Sequence, residues 1–211
     1  MLKRLFDIVV SLIGLTLLSP LFTFIIIRLK LDSPGPIFYK GKRVGRYGKP
    51  FMIYKFRTMY IDADKMSASP SAGDDDPRIT KFGKTLRSYK LNELSQLINV
   101  LKGEMSFVGP RPEVQQYVDI YTEEEKAILK VRPGITDYSS IKFNNEGEIL
   151  AGSPDPDRTY EEVIRPEKLR LQLEYVRNHS IWIDIKILLK TAMTLIKTRS
   201  EEEVANGKGI N

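Results

Sequence analysis

The chain has no cysteine, which excludes a disulfide framework and a thiolate metal site and fits a reducing compartment. Its one histidine, His179, leaves a histidine-rich metal site without ligands and argues against a Ser-His-Asp triad, so His179 reads as structural. No Gly-Lys-Ser/Thr ending closes the basic, glycine-rich stretch Gly41 to Lys49, which therefore is not a P-loop. What is present suits one domain with its own core: 211 residues, 42% of them hydrophobic. A formal charge of +6 and a pI near 9.3 point to anionic partners: nucleic acid, phosphorylated substrates or an anionic lipid surface.

From Ile8 to Ile27 no charged residue occurs. At about 1.5 Å per residue that run reaches roughly 30 Å, the thickness of a hydrocarbon core. Ser19-Pro20 interrupts it near the centre, where proline lacks an amide donor and its ring crowds the Thr16 carbonyl, so a sharp bend is predicted. Both flanks are basic, with Lys3 and Arg4 before the segment and Arg28, Lys30, Lys40, Lys42, Arg43, Arg46 and Lys49 after it. Positive charge favours the cytoplasmic side. Three readings stay open: a spanning helix, a buried core helix, or a hairpin that turns at Ser19-Pro20 and returns, with the Thr16 and Ser19 hydroxyls satisfying carbonyls freed at the bend. A signal peptide fits poorly, because Asp7 intrudes and no small-residue cleavage site follows. The uncharged run also argues against a peripheral nucleic-acid-binding protein.

Near the other end, Ile181, Ile185, Leu188, Ala192 and Leu195 recur at helical spacing, with Lys186, Lys190 and Lys197 on another side and Trp182 beside them. That pattern describes a helix lying among lipid headgroups or one packed on a core. The polar tail after Ser200 is predicted to be disordered.

Between these ends, Leu31 to Pro36 is a proline-rich exit, and Ile37 to Tyr39 and Phe51 to Tyr54 read as strands around a basic turn. Lys55 and Arg57 alternate and are predicted on one side of an extended strand. Asp62 to Asp76 reads as a mobile loop, in which Asp74, Asp75 and Asp76 form a solvated acidic cluster. A helix is predicted from Asn92 to Lys102, ending at Gly103, with Leu94, Leu97, Ile98 and Leu101 on one face and Asn92, Gln96 and Asn99 on another. Asn92 suits an N-cap and Glu93 a first turn. Arg87 upstream and Arg111 in the stiff Gly109-Pro110-Arg111-Pro112 supply two guanidiniums near that helix start, a candidate diphosphate clamp.

Residues 86–112, LRSYKLNELSQLINVLKGEMSFVGPRP, resemble the signature of the bacterial sugar transferases, small monotopic phosphoglycosyl transferases. Lys55-Phe56-Arg57-Thr58-Met59, Asp76-Pro77-Arg78-Ile79-Thr80, Arg132-Pro133-Gly134-Ile135-Thr136 and the Ser19-Pro20 pair are similar to further motifs of that family, so the resemblance runs from about Lys3 to Thr198. It implies an α+β fold: a re-entrant helix-break-helix anchor over 1–32, a cytoplasmic-face catalytic domain over 33–200 with a compact helical body, a small β-hairpin and interfacial amphipathic helices, and a tail over 201–211. The implied reaction moves a sugar phosphate from a nucleotide sugar, uridine being the expected nucleotide, to undecaprenyl phosphate. It takes place at the bacterial inner membrane and starts an exopolysaccharide, O-antigen, capsule or glycoprotein glycan. Implied partners are those substrates, an anionic membrane surface, and a second copy or downstream glycosyltransferases, with no nucleic acid.

The resemblance also implies roles. Arg87 and Arg111 hold phosphates, Glu93 is the protein ligand of Mg2+, and Lys55, Arg57, Asp76, Arg78 and Arg132 line the substrate pocket. Where the family pattern is Leu-Asp-Glu-Leu-Pro-Gln, this chain has Leu91-Asn92-Glu93-Leu94-Ser95-Gln96, an amide in place of the nucleophilic carboxylate. A neutral amide oxygen is a poor nucleophile. Three readings follow: a natural or engineered inactive form, direct attack by the lipid phosphate, or Glu93 as nucleophile. A non-catalytic homologue that binds substrate or partners an active transferase is the alternative function. Asp137 to Ser140 and Gly152 to Pro156 depart from the familiar Gly-Trp-Ala-Gln continuation, so the sugar stays unassigned.

Overall fold

A computed structural model describes residues 2–63 and 76–207. Most of the predicted Asp62–Asp76 loop, with Asp74 and Asp75, lies outside them. The chain opens with two helices, α1 (Leu2–Leu17) and α2 (Ser19–Asp32), bent by 60° at Leu18. Among the described residues no single helix is long and apolar enough to cross a membrane; this bent pair passes that test together. The bend has a local cause. Pro20 sits in the first turn of α2 and cannot donate to the Thr16 carbonyl, which accepts instead from Ser19 Oγ at 2.8 Å. Thr16 Oγ1 donates to Leu12 O at 2.9 Å and Thr23 Oγ1 to Ser19 O at 2.9 Å, so hydroxyls saturate backbone that water would otherwise serve.

α1 is turned inside out relative to a soluble amphipathic helix. Its buried residues are Asp7 and Ser11, while Leu2, Leu5, Val9, Leu12, Ile13 and Leu17 are exposed. Asp7 Oδ1 accepts from Ser106 Oγ at 3.0 Å and Phe107 N at 3.2 Å, and Lys3 pairs with Asp184 and donates to Val108 O at 3.0 Å. The final helix, Ile181–Gly207, repeats the inversion: Asp184 and Ile187 are buried, whereas Trp182, Leu189, Met193 and Ile196 are exposed. Its backbone stays helical seven residues past Ser200, so the predicted disordered tail begins as helix. Glu201–Ala205 holds no breaker before Gly207.

The body between these helices is mostly helical with two small sheets. β1 (Phe38–Val44) and β2 (Pro50–Phe56) pair antiparallel, Phe38 opposite Phe56 and Val44 opposite Pro50. The strands are longer than predicted, and the basic turn shrinks to a short 3₁₀ turn whose Tyr47 takes a positive φ of 60°. β3 (Ser106–Val108) and β4 (Gly134–Thr136) form a parallel pair that the sequence reading lacks. Its register depends on Gly109 against Gly134, where a Cβ on Gly134 would lie 2.1 Å from Gly109 N. The bent helix pair is tied in by apolar packing: Ile25 and Leu29 of α2 meet Phe56 and Leu86 in one buried cluster. Each such side chain contributes about 1.5–3 kcal/mol by leaving water.

Candidate functional site

The predicted helix from Asn92 divides in two, a 3₁₀ run Leu91–Gln96 and an α-helix Leu97–Lys102. Lys90, at φ 55°, precedes the run, so the chain enters through a left-handed residue and Asn92 does not cap. Asn92 is half-buried inside the run, and its side chain makes no hydrogen bond among the described residues. Tighter 3₁₀ winding sets Glu93 beside β2, where Asn99 fixes the separation. Asn99 is fully buried; its Nδ2 donates to Met52 O at 2.8 Å and to Glu104 Oε2 at 2.8 Å, and its Oδ1 accepts from Tyr54 N at 2.9 Å. One amide thus does for the edge of β2 what another strand would do.

Lys55, the next residue on β2, donates to Glu93 Oε1 at 2.7 Å. Arg111 donates from Nη2 to the same oxygen at 2.9 Å and from Nη1 to Oε2 at 3.4 Å. Burial pushes the Glu93 carboxyl up, but the Arg111 and Lys55 charges and their hydrogen bonds outweigh it and hold the group well below the usual carboxylate range. Burial lowers Lys55 against the opposing pull of Glu93, and the Glu93 charge raises Arg111. Glu93 is therefore an ionised carboxylate held between two cations.

A magnesium ion at this site would have to be met at Glu93 Oε2. Oε1 already serves two donors, whereas Oε2 has one long contact and an open lone pair. Magnesium commonly takes one or two protein carboxylates and completes its shell with water and substrate phosphates. No group of three or more His, Cys, Asp or Glu suited to a metal occurs among the described residues, so the protein would supply few of the ion's ligands.

Arg87 reaches the same neighbourhood from the helix Lys81–Ser88, donating from Nε to Thr58 Oγ1 at 3.0 Å. The helix is pressed onto the strand exit: a Cβ on Gly83 would lie 2.1 Å from Thr58 O, so only glycine permits this approach. Thr80 caps the helix by accepting from Gly83 N. Asp76 binds Arg78 from both carboxylate oxygens, at 2.6 to 3.0 Å, and Arg78 N as well. The Arg78 hydrogen bond comes first among the causes that hold the Asp76 carboxyl below its ordinary value, and the Arg87 charge adds to it. Asp76 and Arg78 thus lie near Arg87 at the exit of β2, where Met59 bridges Ile79.

Two residues expected in the pocket are elsewhere. β2 ends at Phe56, and Arg57 turns away, donating to Ser33 O at 2.9 Å, Ser33 Oγ at 2.6 Å and Pro36 O at 2.8 Å. It is 6% exposed and locks the exit of α2 to the body. Arg132 donates to Gly103 O at 2.8 Å, at the far end of the helix that follows Glu93. Burial and then the Arg4 and Arg46 charges lower its pKa. Neither joins the Glu93 cluster. His179 is exposed and contacts Val176 O at 2.8 Å. Asn99, Thr58 and Gly83 carry positioning roles that the sequence reading missed. A lone glycine inside a helical pattern signals close backbone approach, and Gly83 showed it.

A profile of the family "Bacterial sugar transferase" matches residues 1–198. The chain is 38% identical to an undecaprenyl-phosphate glucose phosphotransferase of Komagataeibacter xylinus over 94% of this chain and 36% of that protein. It is 38% identical to a UDP-glucose:undecaprenyl-phosphate glucose-1-phosphate transferase of Escherichia coli K12, over 90% of this chain and 39% of that protein. The exopolysaccharide production protein ExoY of Sinorhizobium fredii is 33% identical over 93% of this chain and 86% of its own length. The chain thus spans little more than a third of the first two relatives. Because the family match runs over residues 1–198 and these relatives are 33–38% identical over at least 90% of the chain, the chain belongs to the bacterial sugar transferase family.

Proposed function

We propose that this protein is built to move a sugar 1-phosphate from a UDP-sugar to undecaprenyl phosphate at the cytoplasmic face of the bacterial inner membrane, and that Asn92 leaves it in a substrate-binding form. The observation that carries this reading is the Lys55–Glu93–Arg111 cluster beside Asn92. Arg111 and Arg87 provide charged, planar donors for a diphosphate. A bound magnesium, held by Glu93, would offset negative charge on the phosphates. A carboxylate at 92 would attack the sugar-proximal phosphorus, breaking its bond to the bridging oxygen and releasing UMP; a lipid phosphate oxygen would then displace the carboxylate and carry the phosphosugar away. The Asn92 amide lacks the charge for the first step. Glu93 is a poor substitute, since the charges of Lys55 and Arg111 neutralise it and lower its nucleophilicity.

The bent pair supports membrane entry and return. Its outward face is apolar, its inward face carries Asp7 and Ser11, and both flanks are basic. The exposed Trp182, Leu189, Met193 and Ile196 suit a helix at the headgroups, which would set the pocket where a polyprenyl phosphate presents its reactive end.

The test uses UDP-sugars, magnesium and undecaprenyl phosphate with the unaltered chain and Asn92→Asp. Intact mass and lipid-linked product are read together. Asn92→Asp is expected to gain both a phosphosugar adduct and lipid product, with the unaltered chain binding UDP but giving neither. Robust turnover by the unaltered chain, with no deamidation, would overturn the binding-form reading and favour direct attack by the lipid phosphate.

A further inference from the structure

Beyond Arg111 the chain enters a polar chamber between the segment after Pro112 and the helix Arg165–Asn178. Gln172 is 1% exposed, and its Oε1 has no hydrogen-bond partner. Arg165 Nη2, also buried, has none. One orphan acceptor and one orphan donor therefore share a chamber, and a buried polar atom left unpaired is costly enough to require an explanation.

The space suggests what would satisfy them. About 10 Å³ is open to a water-sized group, close to the ~10–15 Å³ that a single water requires. A hydroxyl has that size, donates one hydrogen and accepts with its lone pairs, so it offers both what Gln172 Oε1 and what Arg165 Nη2 lack. A phosphate fits neither the volume nor the charge, because Lys168 is already paired with Glu146 at 2.5 Å. The chamber adjoins the site described above. Glu113 and Tyr121 line both it and the neighbouring cleft, which Arg111 also lines. A sugar whose phosphate lay on Arg111 would carry its ring to Glu113, with one substituent directed inward. Arg165 follows directly on a π-helical turn, Tyr160–Ile164, an irregularity that shifts the facing of later side chains and recurs at functional sites.

We propose that Gln172 and Arg165 form a specificity pocket that reads one hydroxyl group of the transferred sugar. The proposal rests on the UDP-sugar reading above. A site built to hydrogen-bond a substrate hydroxyl discriminates strongly against a sugar that lacks it or turns it away, since the protein groups are then left unpaired.

The test measures binding of UDP, UDP-glucose, UDP-galactose and their two N-acetyl forms to the full chain in lipid nanodiscs, which needs no turnover. The unaltered chain is expected to spread the four sugars over tenfold or more in Kd. Gln172→Leu should compress that spread at least threefold while Kd for UDP stays within twofold. Arg165→Met should compress it in the same way and serves if Gln172→Leu fails to fold. Intact UDP binding with an unchanged spread in both variants, or a spread below twofold in the unaltered chain, would mean the chamber holds an ordered water only and would overturn the proposal. Failure of the unaltered chain to bind UDP would instead remove the nucleotide-sugar reading and this inference with it.

Discussion

Glu93 and Glu113 flank Arg111 in space and sequence, yet they solve opposite problems. Glu93 is matched by Lys55 and Arg111 at hydrogen-bond distance and is held ionised. Glu113 is displaced upward, first by burial and also by Glu146, against the opposing pull of Lys168 and Arg111. Two carboxyls whose surroundings drive them apart often have separate tasks. Here the charged one suits a metal and phosphates, and the other, which keeps its proton longer, suits a neutral polyol. The difference lies in partners: around Glu93 the charges are satisfied, whereas the chamber beyond Glu113 retains orphan atoms on Gln172 and Arg165.

The strongest way to break this contrast is Glu93→Gln, which leaves Lys55 and Arg111 facing each other with the carboxylate gone. Removing one member of a buried ion pair costs about 3–5 kcal/mol, and partial exposure of these side chains reduces that here to about 2 kcal/mol at pH 7. In an Asn92→Asp background the same change should lower transfer by about 100-fold or more, as expected for losing charge stabilisation at the reacting phosphate. Lys55→Met should cost less, about 1 kcal/mol, because Arg111 still pairs with Glu93. The sign with pH follows from the depressed Glu93 pKa. Its stabilisation is full above the unfolded value, about 4.3, and fades as pH falls below it. Both variants should therefore show their full deficit at pH 7 in thermal melts, and the gap should narrow below about pH 4. A gap of constant size down to pH 3 would show that packing, not charge, holds the cluster.

Much of this was legible where the sequence carries a local rule. Pro20 removes one donor, and Ser19 Oγ occupies the acceptor left behind, so the bend fell where residue chemistry put it. The Glu93–Arg111 meeting was approached through motif resemblance, because residues 18 apart in sequence have no local rule to join them. Arg57 shows why alternation was insufficient: the strand stops at Phe56, and once the ladder ends the two-residue period ends with it. Asn92 kept its place but not its capping role, since a left-handed Lys90 and 3₁₀ winding replaced the predicted α-helical start. The chamber was invisible for a different reason. Its lining joins Glu113, Tyr117 and Tyr121 to Tyr160, Arg165 and Gln172, segments with no local rule to bring them together, and an orphan hydrogen bond exists only once packing has excluded water.

The smallest expected effect is the one that sharpens the comparison most. Glu113→Gln keeps the shape and hydrogen-bonding capacity of the side chain while removing its titration. Because burial raises the folded pKa of Glu113, its folded state holds the proton after the unfolded state has released it. Stability from this group is therefore fully present below the unfolded value, about 4.3, and is lost as pH rises through the folded value. Glu113→Gln should match the unaltered chain in melting temperature near pH 4 and exceed it slightly at pH 8, the reverse of the Glu93→Gln trend. Lys168 and Arg111 oppose the shift, which keeps the gain small. If the variant melted lower than the unaltered chain at pH 8, Glu113 would be contributing as a paired carboxylate, and the two acids would share one role instead of dividing two.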